Sequence, residues 1–262
     1  MPVLTFRLLK IITQHPFYES LLSSQPRLPC RIHRPYLTNK LSRKERVAAI
    51  VYHYKAMTNF LSDAQFNKLL GDEGITMAQI VAKDDTVYTL NLISTHKLDR
   101  EGEVSIILRD SNEQFLAEIS FTLCCQSGES AFIIGGLQGP NNSDAQEIIQ
   151  HATKNFHGIF PKRIVLEALL ALAQRMNIST VYAVTNSSHV YQSLRYNKKQ
   201  KLVHADYDSF WAMTGGTQIN DMYYEIPAII PRKKIEEVAS KKRAEYRRRF
   251  DLLDSINSQI SA

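Results

Sequence analysis

Residues Ile133–Gly139 read Ile-Ile-Gly-Gly-Leu-Gln-Gly, an apolar strand that runs into three glycines within five positions. Glycine leaves the backbone uncovered and tolerates φ > 0, so a strand ending this way either turns sharply or lets another group approach its amides. An apolar helix follows, from about Pro161 to Met176. Strand, glycine-rich bend and helix are the parts of an anion-binding site, although this spacing matches neither G-x-G-x-x-G nor the Walker pattern. Two readings stand side by side. In one, Gly135, Gly136, Gln138 and Gly139 face a ligand, helped by Lys162 and Arg163 in the first turn after Pro161. In the other, Gly135 and Gly136 form a β-bulge or a tight crossing of two backbones.

The elements around that bend set the fold class. Ser42-Arg-Lys-Glu45 is a capping box placed before Val47, Ile50, Val51, Tyr54, Met57 and Leu61, which predicts a helix over about Arg43–Phe60. From Thr76 to Leu137 the pattern becomes extended, with strands expected at Thr86–Ser94, Gly102–Arg109, Gln114–Leu123 and Ala131–Leu137. Short connections between four successive strands imply an antiparallel meander. Lys154–Gly158 closes a polar helical excursion, and Pro161 then opens a helix at the position proline prefers. Ser179–Thr185 reads as a strand returning beside the sheet, so that helix and strand make a crossover on the strand ending at Gly136. Asn186-Ser-Ser-His189 caps a short helix to about Arg195, Lys198–Lys201 mark a basic turn, and Tyr223–Ile230 reads as a final strand. The expectation is an α+β domain with a mixed, mainly antiparallel sheet flanked by helices over 42–231. A helical N-terminal arm (1–41) precedes it, and a basic helix (232–262) follows.

Of the 262 residues 44% are hydrophobic and 22% charged, the composition of a globular chain with a sizeable core. Net charge is +6, and nine Lys or Arg residues against three acids between Arg232 and Arg249 account for all of it. The basicity is therefore local. It suits a solvated amphipathic helix docked on the domain, or a patch for an anionic membrane surface. Nucleic acid ranks third, because aromatic residues are not interleaved beyond Tyr246 and Phe250. Three cysteines, Cys30 and the neighbours Cys124 and Cys125, point to a reducing compartment. No C-x-x-C or His/Cys cluster suggests a metal. Arg7 and Lys10 interrupt the apolar N-terminus, which reads as neither a signal peptide nor a membrane span.

The order of meander, bend, buried helix, strand and short tyrosine-bearing helix resembles the acyl-CoA-dependent N-acetyltransferase fold over about residues 86–230. That resemblance implies acyl-CoA as cofactor, with its pyrophosphate at the bend and helix amino end. It also implies that Tyr191 protonates the leaving thiolate. The chain departs from that fold's pattern by lacking an Arg/Gln-x-x-Gly-x-Gly/Ala signature and by placing about twenty residues between strand and helix.

A second resemblance rests on motifs. His53-Tyr54, Glu101-Gly-Glu103, Ile134–Gly139, Pro161-Lys162, His189-x-Tyr191, Asp206-Tyr-Asp208-x-Phe-Trp211, Gly215-Gly216 and Tyr246-Arg-Arg-Arg249 are similar to the VirK/YbjX family of Gram-negative bacteria. This implies a link to virulence, antimicrobial-peptide resistance and envelope maintenance, acting in the cytoplasm or at the periphery of the inner membrane on a peptide, protein or lipid acceptor. His53 or His189, beside Asp206 or Asp208 on one face of an extended segment, would supply a general base if these groups converge on a cleft near Gly135–Gly139. Taken one at a time, each reads equally as a hydrogen-bonded core group or a cap.

Overall fold

A computed structural model of the chain describes residues 2–94, 98–196 and 206–261. One mixed sheet runs in the order β1-β2-β3-β4-β5-β6-β8-β7. Strands β1 (Ile75–Val81), β2 (Val87–Ser94), β3 (Val104–Asp110), β4 (Phe115–Gln126) and β5 (Glu129–Gln138) form the antiparallel meander. The tightest turn joins β4 to β5 through Ser127 and Gly128, both at positive φ, as a two-residue hairpin requires. Strand β6 (Thr180–Val184) then pairs parallel to β5, and the short β7 (Thr217–Gln218) and β8 (Tyr223–Ile226) close the far edge.

The parallel pair needs a crossover, supplied by α5 (Ala145–Asn155) and α6 (Pro161–Arg175). Helix α6 is buried along most of its surface, as its near-continuous apolar sequence requires. Helices α1 (Pro2–Thr13), α2 (Tyr18–Ser24), α3 (Arg43–Phe60) and α4 (Asp63–Leu70) precede the sheet. Helix α3 begins at its capping box, with Ser42 Oγ accepting from the Glu45 amide at 3.3 Å and Glu45 Oε2 accepting from the Ser42 amide at 2.8 Å. Val47, Ile50, Tyr54 and Met57 form its buried stripe, and His53 lies among them.

Both α3 and α6 pack on β4 without substantial contact with each other, which puts them on opposite faces of the sheet. Helix α7 (Tyr207–Met213) lies over the β8 end. Helix α8 (Arg243–Ser261) packs on α6 and on the edge strand β1, where Gln259 donates to Gln79 O and accepts from Gln79 N, both at 2.9 Å. That side chain stands in for a neighbouring strand on an otherwise open edge. The core is continuous. Leu8, Ile12, Leu21, Leu28 and Ile32 from the first 41 residues, and Leu252, Leu253, Ile256 and Ile260 from α8, join the same apolar cluster as the strands.

Several expectations need correction. Strand β1 and helix α4 were not anticipated, although Ser62 and Gln65 form a second capping box at the start of α4. Asp206 and Asp208 do not lie on an extended segment: Asp206 caps α7 and Asp208 lies in its first turn. The basic helix starts at Arg243 rather than Arg232, after two short 3-10 turns at Ile235–Glu237 and Ser240–Lys242. The helix expected after His189 is two 3-10 turns, Val190–Gln192 and Leu194–Tyr196. The final strand stops at Ile226, before Pro227. The basic turn Lys198–Lys201 lies outside the described residues.

Candidate functional site

The bend is built by two departures from regular pairing. Ser120 of β4 pairs with Gly136 and Phe121 with Ile134, so Gly135 is the extra residue of a bulge on β5. A Cβ on Gly135 would collide with the backbone of Glu101, and one on Gly136 with the Glu101 carboxylate. The glycines thus admit the Glu101 turn, which is the tight crossing of backbones. The second departure lies on the other edge of β5. Its parallel pairing with β6 ends at Ile134 and Ala183, while β5 continues to Gln138. Tyr207 fills the gap that opens, and its hydroxyl accepts from the Leu137 amide at 3.3 Å.

A buried polar cluster results. Gln138 Nε2 donates to both Glu101 oxygens at 3.2 and 3.0 Å, and His189 Nε2 lies 3.4 Å from Glu101 Oε1. The Tyr191 amide donates to His189 Nδ1 at 3.4 Å. With Nδ1 accepting, the proton of the neutral ring sits on Nε2 and faces the carboxylate. Tyr207 stacks on His189 with centroids 5.0 Å apart, and the Tyr191 ring lies 5.4 Å from it. Burial, then the charge of Glu101, pushes the Tyr191 and Tyr207 phenols above their ordinary range. Glu101, His189 and Tyr207 are all at most 3% exposed.

Asp206 and Asp208 hold this arrangement from outside. Asp208 Oδ1 accepts from the Asn186 amide at 2.8 Å and Asp206 Oδ1 from Asn186 Nδ2 at 2.9 Å, while Asn186 Oδ1 accepts from the Tyr207 amide at 2.8 Å. Their role is to fasten the turn after β6 to α7. His53 belongs elsewhere. Its Nδ1 accepts from the Leu123 amide at 3.1 Å, and it sits beside Arg31 and Glu103 beneath the N-terminal segment. His189, Tyr191 and Gln138 are therefore brought together, whereas His53, Asp206 and Asp208 face other partners.

Where β5 ends, the surface opens into a cleft of about 710 Å³ between α6, α7 and α8. Its walls are mainly apolar, including Leu116, Ile159, Phe160, Phe210, Met213 and Phe250. Phe160 is 60% exposed and Met213 74%, so two large apolar side chains face solvent here. Gly139 lies on the same wall, with Lys162, Arg163, Arg232, Lys233 and Arg249 around it. Lys162 has no hydrogen-bond or ion-pair partner among the described residues, and burial lowers its pKa from the ordinary lysine value. Arg163 is held by Glu167 at 2.6 Å and Arg232 by Asp254 at 2.7 Å. A groove of about 850 Å³ lies against α2 and α4, but its two arginines are paired, Arg109 with Glu113 at 3.5 Å and Arg27 with Asp99 at 4.0 Å. The cleft is the stronger candidate because its cation is unpaired and its apolar surface uncovered.

The arginine triplet of α8 divides by role. Arg249 donates through Nε and Nη2 to the His157 carbonyl at 3.1 and 2.9 Å, whereas Arg247 and Arg248 are exposed. Arg249→Gln should lower the unfolding free energy by about 1–3 kcal/mol, the scale of hydrogen bonds to a charged donor. Arg247→Gln and Arg248→Gln should stay within about 0.5 kcal/mol of the parent. Urea titrations of the three single variants check this, and equal effects would contradict the division.

The sequence signal for this site was partial. Gly139, Gln138, Lys162, Arg163, His189 and Tyr191 were named as candidates from the sequence, but Glu101, Tyr207 and Phe210 were seen only as motif residues and Phe160 and Met213 not at all. Comparisons with known proteins bear on the motifs directly. The whole chain, residues 1–262, matches a family described as Protein of unknown function (DUF535). It is 43% identical over 261 residues to the uncharacterized protein YbjX of Escherichia coli, covering 100% of this chain and 79% of the relative. An uncharacterized protein of Haemophilus influenzae is 28% identical over 225 residues, covering 86% of this chain and 73% of the relative. Among solved structures, a cAMP-binding acyltransferase from Mycobacterium smegmatis aligns with a TM-score of 0.32 and 9% identity, over 84% of this chain and 61% of that one. The motifs from His53 to Arg249 thus lie within an end-to-end match, and the chain belongs to the DUF535 family, the VirK/YbjX group its sequence resembles.

Proposed function

We propose that the cleft at the end of β5 binds an acyl-CoA and that the chain is an acyl-CoA-dependent transferase acting on a peptide, protein or envelope component. The observation that carries this reading is the pairing of apolar walls with the unpartnered Lys162 at the amino end of α6. An acyl-pantetheine chain matches the walls, and phosphates match Lys162, Arg163, Arg232 and Lys233. In this reading the acceptor amine or hydroxyl attacks the acyl carbon, the C–S bond breaks, and the thiolate takes a proton. Tyr207, a neutral phenol in the gap beside β5, supplies that proton, and the proton that the attacking acceptor loses passes back to Tyr207 through His189, whose Nε2 lies 3.5 Å from the phenol oxygen.

Titration calorimetry with coenzyme A and acyl-CoAs tests the binding step. Lys162→Ala should weaken binding about tenfold, the scale of one charge-assisted contact, without moving the melting temperature. Gly139→Ala should also fold normally, because its Cβ would meet Lys162 Cε at 3.7 Å and Ile149 Cδ1 at 3.8 Å, ordinary contacts, yet it places a methyl group on the cleft wall. Absence of binding to every acyl-CoA would sink the reading. One observation favours a second reading, non-catalytic binding of an anionic lipid: Glu101, His189 and Tyr207 are buried, while Phe160 and Met213 on the cleft wall face solvent. Sedimentation with anionic liposomes, lost on raising salt, together with no thiol release from acyl-CoA, would select it.

A further inference from the structure

A second concentration of charge lies on the opposite side of the chain's sequence from α8. The 3-10 turn Leu28–His33 and the turn before β3 enclose a cavity of about 120 Å³ walled by Arg27, Cys30, Arg31, Arg34, Asp99 and Arg100, among others. Arg27 reaches Asp99 at 4.0 Å, and Arg31 binds Glu103 and Gln25 through its two terminal nitrogens. Arg34 and Arg100 have no carboxylate partner among the described residues. Four arginines thus wall the cavity with one lining carboxylate, Asp99, while Glu103 binds Arg31 from outside it, so two of the four have no paired carboxylate among the described residues.

The donors are unbalanced as well. The Nε atoms of Arg31 and Arg100 are buried and meet no acceptor. The Arg31 side chain is 2% exposed, so solvent does not serve it. A buried donor without an acceptor is costly, and such groups are normally satisfied by protein, water or a ligand. Arg100 is also fixed in direction, with its guanidinium carbon 4.7 Å above the Tyr196 ring. A volume of about 120 Å³ equals about four waters at their liquid share. It accommodates one tetrahedral oxyanion.

We propose that this cavity binds a phosphate group, taken either as the free anion or at the end of a small phosphomonoester. A dianion neutralises the surplus charge, and its oxygens accept from planar guanidinium groups that present their donors in a fixed fork. No residue lines both this cavity and the cleft at the end of β5. Failure here leaves the acyl-CoA reading standing, and failure there leaves this one.

Cys30, exposed on the cavity wall, reports occupancy. In a Cys125→Ser background the labelling rate of Cys30 by a thiol reagent is measured at constant ionic strength against inorganic phosphate, glycerol phosphate and acetate. Phosphate is expected to slow labelling at concentrations where acetate does not. Arg34→Gln and Arg100→Gln should each raise the required concentration about tenfold, while Lys162→Ala leaves it unchanged. Arg31 is left intact, because it also holds Glu103. Protection by glycerol phosphate at lower concentration than by inorganic phosphate assigns the group to a monoester, and the reverse order assigns it to the free ion. No protection by either compound overturns the proposal. So does equal protection by acetate, or protection that both arginine variants retain.

Discussion

Gly135→Ala should abolish folding at ordinary temperature. The added Cβ would overlap the carbonyl oxygen, carbonyl carbon and Cα of Glu101, all backbone atoms. The Glu101 turn cannot retreat, because its amide is tied to Leu98 O at 2.8 Å and the Glu103 amide to Phe121 O at 3.1 Å. Gly102, in the same turn, is itself pressed against β4, where a Cβ would stand 2.6 Å from the Phe121 nitrogen. Overpacking against fixed backbone belongs to the costly tail of point mutations, above about 4 kcal/mol. Gly136→Ala differs in kind, since its nearest obstacle is the Glu101 carboxylate. Combining it with Glu101→Ala should recover much of the loss, whereas the same combination with Gly135→Ala should recover none. Circular dichroism with urea titration decides; a Gly135→Ala protein within about 1 kcal/mol of the parent would show that the crossing yields.

This result bears on function through Glu101. The two glycines bring a carboxylate to the end of β5, where it orders Gln138 and His189. Substitution at Gly136 therefore disturbs the buried cluster as well as the fold, and loss of ligand binding there says nothing about the amides. Gly139, free of such crowding, is the position at which binding and folding separate.

What the sequence revealed follows from which interactions are local. The capping box at Ser42, the proline opening α6 and the Ser127-Gly128 hairpin each act over a few residues, and their elements appear where expected. The crossover onto β5 was legible because a buried helix between two apolar strands permits few topologies. Asp206-Tyr-Asp208 misled because alternation in so short a run also describes a helix cap and its first turn, and only the bonds to Asn186 distinguish them. The cleft was invisible because its walls come from Phe160, Met213 and Phe250, which meet only through tertiary packing. Buried charges were missed for the opposite reason. Arg31 drew no reading and Glu103 stood only in a motif, because the bond that buries them joins residues 72 positions apart.

That pair supports the second large effect. Arg31 and Glu103 are both buried, and Tyr54 donates to Glu103 Oε2 at 2.5 Å. Burial works against the Glu103 charge most strongly, but Arg31 and His53 outweigh it and hold the carboxyl below its ordinary range. Arg31→Met would leave that carboxylate buried without a counter-charge, at a cost of about 3–5 kcal/mol. The double variant Arg31→Met, Glu103→Gln removes both charges, keeps an acceptor for Tyr54, and should recover at least half of the loss. A double variant no more stable than Arg31→Met would mean that packing rather than charge sets the cost. His53 gives the same centre a pH dependence. Burial, with Arg31 adding to it and Glu103 opposing, lowers its pKa from 6.5 to about 4. The folded state therefore keeps His53 neutral where the unfolded chain binds a proton. Its contribution is fully present above pH 6.5 and is lost as pH falls to about 4, a change on the order of 3 kcal/mol. Glu103 adds a further loss below its ordinary value of 4.5. Burial of His15 and His157 acts in the same direction as His53, so the difference between the parent and His53→Gln isolates the effect. Unfolding free energies measured across that window should fall less steeply in His53→Gln; identical slopes would place the titrating group elsewhere.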